Sequence, residues 1–337
     1  MKTLLLSSED ADIREAARII KNGGVVAMPT ETVYGLAADA LNGAAVKKIF
    51  EAKGRPADNP LIVHISEISQ IYSLVREFPE KARRLAKKFW PGPLTMILPK
   101  SALVPDEVSA GLDTVAVRFP SHNTARRLIT LSAPLAAPSA NLSGSPSPTS
   151  FNHVRDDMDG RIDAIIDGGD CDVGVESTVI TLATPIPELL RPGGITFEQL
   201  KETIGEVIIN SAVINPLAEG QQAASPGMKY KHYAPKAEVI LIDGSGEQFY
   251  SYIRKNGRPG EAVLCYSEDL GRLPLPCISI GAAADYRTQA HRLFTALRTA
   301  DEEGVSRVYA HCPEKTGIGL AVYNRIIRAA GFNIIKP

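Results

Sequence analysis

Lys53 and Arg55 stand two residues apart in "AKGRPADNPLIVH", with Asn59 and His64 just downstream. Pro56 pushes Arg55 towards extended backbone, where residues i and i+2 point the same way. A point charge converging with a bidentate fork suits an oligophosphate. "APSANLSGSPSP" repeats the device: Pro138 enforces extension, Ser139 and Asn141 share a face, and Ser143 and Ser147 follow in a donor-rich loop. Such a loop can cradle an anion without a P-loop. "MPTETVYGL" crowds Thr30, Glu31, Thr32 and Tyr34 behind an apolar run that Pro29 ends. Thr114 and Arg118 in "DTVAVRFP", Ser177 and Thr178 in "GVESTVI", and Arg191 in "LLRPGG" are further polar groups at strand ends, where α/β sheets hold their ligands. Alone, each piece reads as well as a helix cap, a solvated cation pair or a surface loop. Together they read as a cleft for a polyanion.

The elements that must position these groups alternate. "SSEDADIREAARIIKNGG" has a capped start, apolar residues at helical spacing and a Gly-Gly stop. "VVAMPT", "PLIVHI", "LTMILP", "TVAVRFP", "PLAAPS", "DAIIDGG" and "STVITL" read as strands, with helices at "GAAVKKIFEAKG", "PEKARRLAKKFW", "HNTARRLITLS" and "ITFEQLKETIG". This is α/β texture, expected to give a twisted sheet of mixed strand order. Periodicity fades after Val207 and restarts at "AEVILID", where strand–helix alternation predicts a small parallel, Rossmann-like sheet. The expected division is a catalytic domain over 1–206, a linker or lid over 207–235, and a second domain over 236–337, in keeping with a length of 337 residues. "GIGLAV" offers G-x-G, but Val322 takes the third glycine position, and no GxxxxGK[ST] occurs.

Composition narrows the class. Charged residues at 22% and hydrophobic ones at 44% are those of a globular protein with a core. A net charge of -1 argues against a general nucleic-acid binder. The four cysteines share no metal-ligand spacing, and no apolar run reaches a membrane span, so no metal cage and a cytoplasmic location are expected.

"SPGMKYKHYAP", Ser225 to Pro235, sits where a linker belongs yet carries Lys229, Tyr230, Lys231, His232 and Tyr233. Linkers are normally small and flexible. This one reads as a strap or a lid over the cleft.

With these residues in view, the chain closely resembles the two-domain threonylcarbamoyl-AMP synthases, built from a YrdC-like domain and a smaller Rossmann-like one. "PTETVYGL", "KGRPADNPLIVH", "WPGPLT", "GLDTVAVRFP", "APSANLSG", "GVESTVI", "LLRPG" and "SPGMKYKHYAP" stand in family order. The resemblance implies an enzyme that joins L-threonine, bicarbonate (or CO2) and ATP into L-threonylcarbamoyl-AMP, releasing pyrophosphate. It implies that Lys53 and Arg55 act on the nucleotide phosphates. Arg55, Asn59, Thr114, Ser139, Asn141, Ser147 and Arg191 form the ATP set, joined by Tyr230, His232 and Tyr233 from the strap. Thr30, Thr32, His64, Arg118, the Ala137 backbone and Ser177 form the threonine set. Mg2+ is expected with ATP, without a dedicated protein cage. The expected partner is a separate tRNA threonylcarbamoyl transferase complex, with at most weak direct tRNA contact. Two rival readings are an RNA-binding YrdC-like module and a carbamoyltransferase, but the acylphosphatase and zinc-finger segments of the latter are missing from the sequence.

Overall fold

Short apolar runs closed by Pro, Gly or a polar pair become strands. The computed structural model describes residues 2–217, 225 and 232–337. Among these, eleven strands form one twisted mixed sheet: β1 (Leu4–Leu6), β2 (Val26–Met28), β3 (Gly35–Asp39), β4 (Ile62–His64), β5 (Leu94–Pro99), β6 (Thr114–Arg118), β7 (Leu135–Ala136), β8 (Ala164–Ile166), β9 (Thr178–Thr181), β10 (Glu188–Arg191) and β11 (Ile208–Ile209). Their order is β1-β8-β2-β3-β7-β4-β6-β5-β9-β10-β11. The helices are α1 (Asp10–Lys21), α2 (Gly43–Lys53), α3 (Ile71–Leu74), α4 (Glu80–Phe89), α5 (Asp106–Ser109), α6 (Asn123–Leu131), α7 (Phe151–Met158) and α8 (Phe197–Ile204).

Local chemistry sets these elements. α1 turns Ile13, Ala16, Ala17 and Ile20 inward onto Ala125, Leu128 and Ile129 of α6. Burying each of the two isoleucines is worth roughly 2 kcal/mol. α2 starts where the Asn42 side chain accepts a hydrogen bond from Ala45 N, and it stops at Gly54 in the left-handed conformation, φ 61°. Gly54 therefore separates Lys53, still helical, from Arg55. The expectation that these two lie on one extended stretch is corrected by that turn.

β3 is not evident in the sequence because "GLAAD" lacks β-branched residues. It pairs antiparallel with β2, Met28 opposite Gly35, so "PTETVY" is a hairpin loop rather than a helix cap. β4 and β6 run parallel with His64 opposite Arg118. β5 is antiparallel to β6 and puts Thr95 opposite Arg118, while β10 puts Arg191 beside Val179 of β9. The functional groups thus share one end of the sheet's centre.

The second sheet is entirely parallel, as expected: β12 (Glu238–Ile242), β13 (Glu261–Cys265), β14 (Cys277–Ser279), β15 (Arg307–His311) and β16 (Ile334–Ile335), in the order β14-β13-β15-β12-β16. Its helices are α9 (Gly246–Asn256), α10 (Tyr286–Glu302) and α11 (Gly319–Ala329). Every residue of α11 is buried, Asn324, Arg325 and Arg328 included. A helix buried all round lies between two bodies. One apolar cluster accordingly runs from Leu36 and Val63 of the large sheet to Phe294 and Ile326 of the small domain.

Chain that the sequence leaves without periodicity after Val207 stays on the first sheet. Ile208 pairs in parallel with Glu188, and Ala212 and Val213 are buried. Asn324 Nδ2 and Arg328 Nη2 donate to the carbonyls of Val213 and Ala212 at 2.7 and 2.6 Å. Arg298 of α10 reaches back to Asp157 Oδ2 and to Pro146 O, each at 2.7 Å. No helix among the described residues is long and apolar enough to cross a membrane.

Gly174 is where the large domain touches the α10 backbone. Its φ is +77°, and a Cβ there would overlap the main chain of His291. Gly174→Ala combines left-handed strain with a backbone clash and is expected to cost about 2 kcal/mol or more. Denaturant unfolding measures this; an unchanged midpoint would mean that α10 does not rest on this turn.

Candidate active site

The parallel register of β4 and β6 makes His64 and Arg118 emerge together, and the β2–β3 loop closes over them. Thr30 Oγ1 donates to Val33 O at 2.6 Å and lies 2.9 Å from Thr32 Oγ1, which fixes the loop's turn. Arg118 Nη1 donates to Thr32 Oγ1 at 2.9 Å, and Nη2 forms an ion pair with Glu31 Oε2 at 2.8 Å. Arg118 Nε is buried and has no hydrogen-bond partner among the described residues. A buried donor in that state calls for an acceptor.

Burial first, and then Arg118, push the His64 imidazole down to about 3. The ring is neutral at physiological pH, and its Nδ1 lies 3.1 Å from Ile62 O. Ser177 Oγ is 2.7 Å from Thr95 Oγ1 on β5. Arg191 donates to Ser177 O through Nε (3.0 Å) and to Ser177 Oγ through Nη2 (3.1 Å).

Arg55, Ser139 and Arg191 line the other side of the same pocket, together with His232 and Tyr233. Arg55 Nη2 donates to Asn59 O at 3.1 Å. The Asn59 amide, turned with its nitrogen towards Ser225 O (3.2 Å), also accepts from Arg55 Nη2 (3.2 Å). Tyr233 is buried at φ 66°, tilted against Phe294 of α10 with ring centroids 5.3 Å apart. Tyr230, Lys229 and Lys231 lie outside the described residues.

Five of the expected residues, Lys53, Asn59, Thr114, Asn141 and Ser147, do not line the pocket. Lys53 is 4% exposed, and its ammonium donates to Ser139 O (2.5 Å) and Asn141 O (2.7 Å). Burial and the neighbouring Arg55 also push it well below its usual value. Lys53 therefore ties the end of α2 to the 139–141 loop. Asn141 turns its amide onto Leu142 O and Ser145 O, and Ser147 Oγ donates to Glu176 Oε1 at 2.5 Å. Neither lines the pocket. Thr114 begins β6 whereas Arg118 ends it, about 13 Å away along an extended strand.

Other groups here were not among the expected set. Thr95 was hidden in a strand. Glu31 and Glu176 sit inside quoted motifs but are acids in a site read for anions. Both are buried and paired with arginines: Glu31 with Arg118, and Glu176 with Arg325 of α11 at 2.7 Å. Burial alone would push the Glu176 carboxyl up, but Arg325, Arg191 and the Ser147 hydroxyl outweigh it and hold it at about 2. The signal for Arg325 was a polar trio, Asn324, Arg325 and Arg328, inside a largely apolar helix.

Comparison with known proteins agrees along the chain. A family model described as telomere recombination (Sua5, YciO and YrdC) matches residues 18–193. Another, described as the C-terminal domain of threonylcarbamoyl-AMP synthase, matches residues 195–331. The threonylcarbamoyl-AMP synthase of Pyrococcus abyssi is 49% identical over 97% of this chain and 96% of its own length, and that of Bacillus subtilis is 48% identical over 98% and 96%. A crystal structure of Pyrococcus abyssi Sua5 complexed with L-threonine superposes with a TM-score of 0.93, at 48% identity and full coverage of both chains. With its two matched units in one order and a near-complete superposition, the chain belongs to the two-domain threonylcarbamoyl-AMP synthases.

Proposed function

We propose that this pocket holds L-threonine on Arg118, Thr32, His64, Ser177 and the Ala137 backbone, with Thr30 setting the loop. ATP lies on Arg55, Ser139 and Arg191, with His232 and Tyr233 as the adjoining wall. The reaction joins both through bicarbonate or CO2 to give L-threonylcarbamoyl-AMP and pyrophosphate. The observation that carries this reading is the row of His64, Arg118, Ser177 and Arg191, which sets an unpartnered guanidinium nitrogen beside hydroxyls and a second arginine.

A planar guanidinium matches the substrate carboxylate. Thr32 and Ser177 supply hydroxyls that read the substrate's own hydroxyl, and a site built around that group penalises analogues lacking it. His64 orients the amine and does not take its proton, because an imidazole held at about 3 is far too weak a base. The free amine attacks CO2, forming the carbamate C–N bond and releasing a proton to solvent. A carbamate oxygen then attacks the α-phosphorus of ATP, and the α–β bridging oxygen leaves with pyrophosphate. No protein nucleophile is needed. Positioning and charge neutralisation supply the acceleration.

Among the described residues no group of three His, Cys, Asp or Glu side chains could hold a metal ion, and Glu31 and Glu176 are already engaged by arginines. Mg2+ would come with ATP, held by phosphate oxygens and water, and would neutralise phosphate charge. The product is a mixed anhydride that water destroys, so a separate tRNA threonylcarbamoyl transferase in the cytoplasm must consume it promptly; any tRNA contact by this chain is weak.

The direct test is pyrophosphate release from ATP with and without L-threonine and bicarbonate. Release that ignores threonine would reject the reaction. Arg118→Ala should raise the threonine KM by roughly tenfold to a hundredfold with little change for ATP, and Arg55→Ala should do the converse. Equal losses on both substrates would defeat the division of labour.

His64 also predicts an acid limb in stability. Above its ordinary value of 6.5 neither state is charged. As pH falls from 6.5 towards 3 the unfolded chain takes a proton that the folded ring refuses. Stability should therefore fall by up to about 1.4 kcal/mol per pH unit from this group. Denaturation midpoints of His64→Gln across that range should lose this contribution; a parallel acid dependence in both proteins would show that His64 is not its source.

A further inference from the structure

Arg325 belongs to the small domain yet ends at the wall of the active-site pocket. It is wholly buried. Nε donates to Glu176 Oε2 at 2.7 Å, Nη1 to Pro192 O at 3.0 Å and to Asn324 Oδ1 at 2.8 Å, and Nη2 to Glu176 O at 3.3 Å. Its guanidinium lies 5.4 Å over the ring of Tyr233, itself part of the pocket. The other Glu176 oxygen is held by Ser147 Oγ at 2.5 Å. Both carboxylate oxygens and all three guanidinium nitrogens are therefore engaged.

This fixed pair solves an electrostatic problem. Glu176 lines a pocket read as holding a triphosphate, and a bare carboxylate there would repel it. The next cation is Arg191, at the end of the neighbouring strand and bonded to Ser177, the residue beside Glu176. An unpaired Glu176 would claim Arg191 and cancel its charge. We propose that Arg325 is a positioning residue for the nucleotide half of the reaction: the small domain lends a cation that fixes and neutralises Glu176, so that Arg191 keeps its charge for the phosphates. This rests on Arg191 being a phosphate ligand, as assigned above. The competing explanation is that Arg325 merely fastens α11 to the large domain.

Charge rescue separates the two. In the full-length chain, Arg325→Met should weaken both the ATP KM and the calorimetric affinity for an ATP analogue with a non-hydrolysable α–β bridge by about tenfold or more, because a buried carboxylate is left uncompensated. Threonine affinity should stay within about twofold. Adding Glu176→Gln to Arg325→Met removes the stray charge and should recover most of the loss. Equal weakening of both substrates, or a double variant no better than the single one, would overturn the proposal, since lost fastening cannot be repaired by removing another partner.

If Arg325→Met fails to fold, Glu176→Gln is compared with the double variant. Matching nucleotide affinities support the proposal, and a further loss of about tenfold in the double variant rejects it. A chain that shows the rescue in analogue binding but releases no threonine-dependent pyrophosphate would reject the assigned reaction and leave this inference standing.

Discussion

Arg118, Arg191, Arg325 and Arg328 are each at most 6% exposed, and burying an uncompensated ion costs several kcal/mol. Everything at the centre of this molecule follows from satisfying those charges. Glu31 meets Arg118, Glu176 meets Arg325, and backbone carbonyls take donors from Arg191, Arg325 and Arg328. Those carbonyls lie outside the strands and α-helices, at Glu176, Ser177 and Pro192 and on the short 3-10 turn that holds Ala212. The loops around the site are therefore shaped by the arginines as much as the reverse. A site for three anions needs concentrated positive charge, and a folded chain tolerates that only with each cation held.

The same constraint explains how each cation of this region is held. Lys53 donates to two carbonyls and lies 3.5 Å from Asn141 Oδ1, and it braces the loop that carries Ser139. Arg118 is oriented by Thr32 and Glu31 but retains a buried Nε without a partner among the described residues. Arg191 is tethered through Ser177, whose hydroxyl in turn meets Thr95. The selection is by geometry rather than by residue type. Orientation of this kind is what lowers the barrier when little covalent work falls to the protein.

That distinction marks what was legible in the sequence. Strand ends were readable from apolar runs closed by Pro and polar pairs, and His64, Arg118, Ser177 and Arg191 do meet in one pocket. β3 was not, because small residues pair in a hairpin without a propensity signal. Lys53 was misread because Gly54 takes the left-handed turn, and the period of two assumed for 53 and 55 applies only to extended chain. Thr114 came with its motif, and four residues of strand carry it to the opposite end of β6 from Arg118. Glu176 and Arg325 are 149 residues apart. No local pattern links them; only the packing of α11 between the two sheets brings the charges together.

The interdomain region accordingly serves more than connection. A shared apolar cluster makes the two units one core, and apolar contact alone would permit α11 several orientations of similar energy. Hydrogen bonds from Asn324, Arg325 and Arg328 to Val213, Pro192 and Ala212 have direction and reject most of those orientations. Tyr233 is captured in the same step, between Phe294 and the Arg325 guanidinium, so the end of the strap that reaches the pocket is set by the small domain's helices. Docking and the pocket wall thus share one side chain, Arg325.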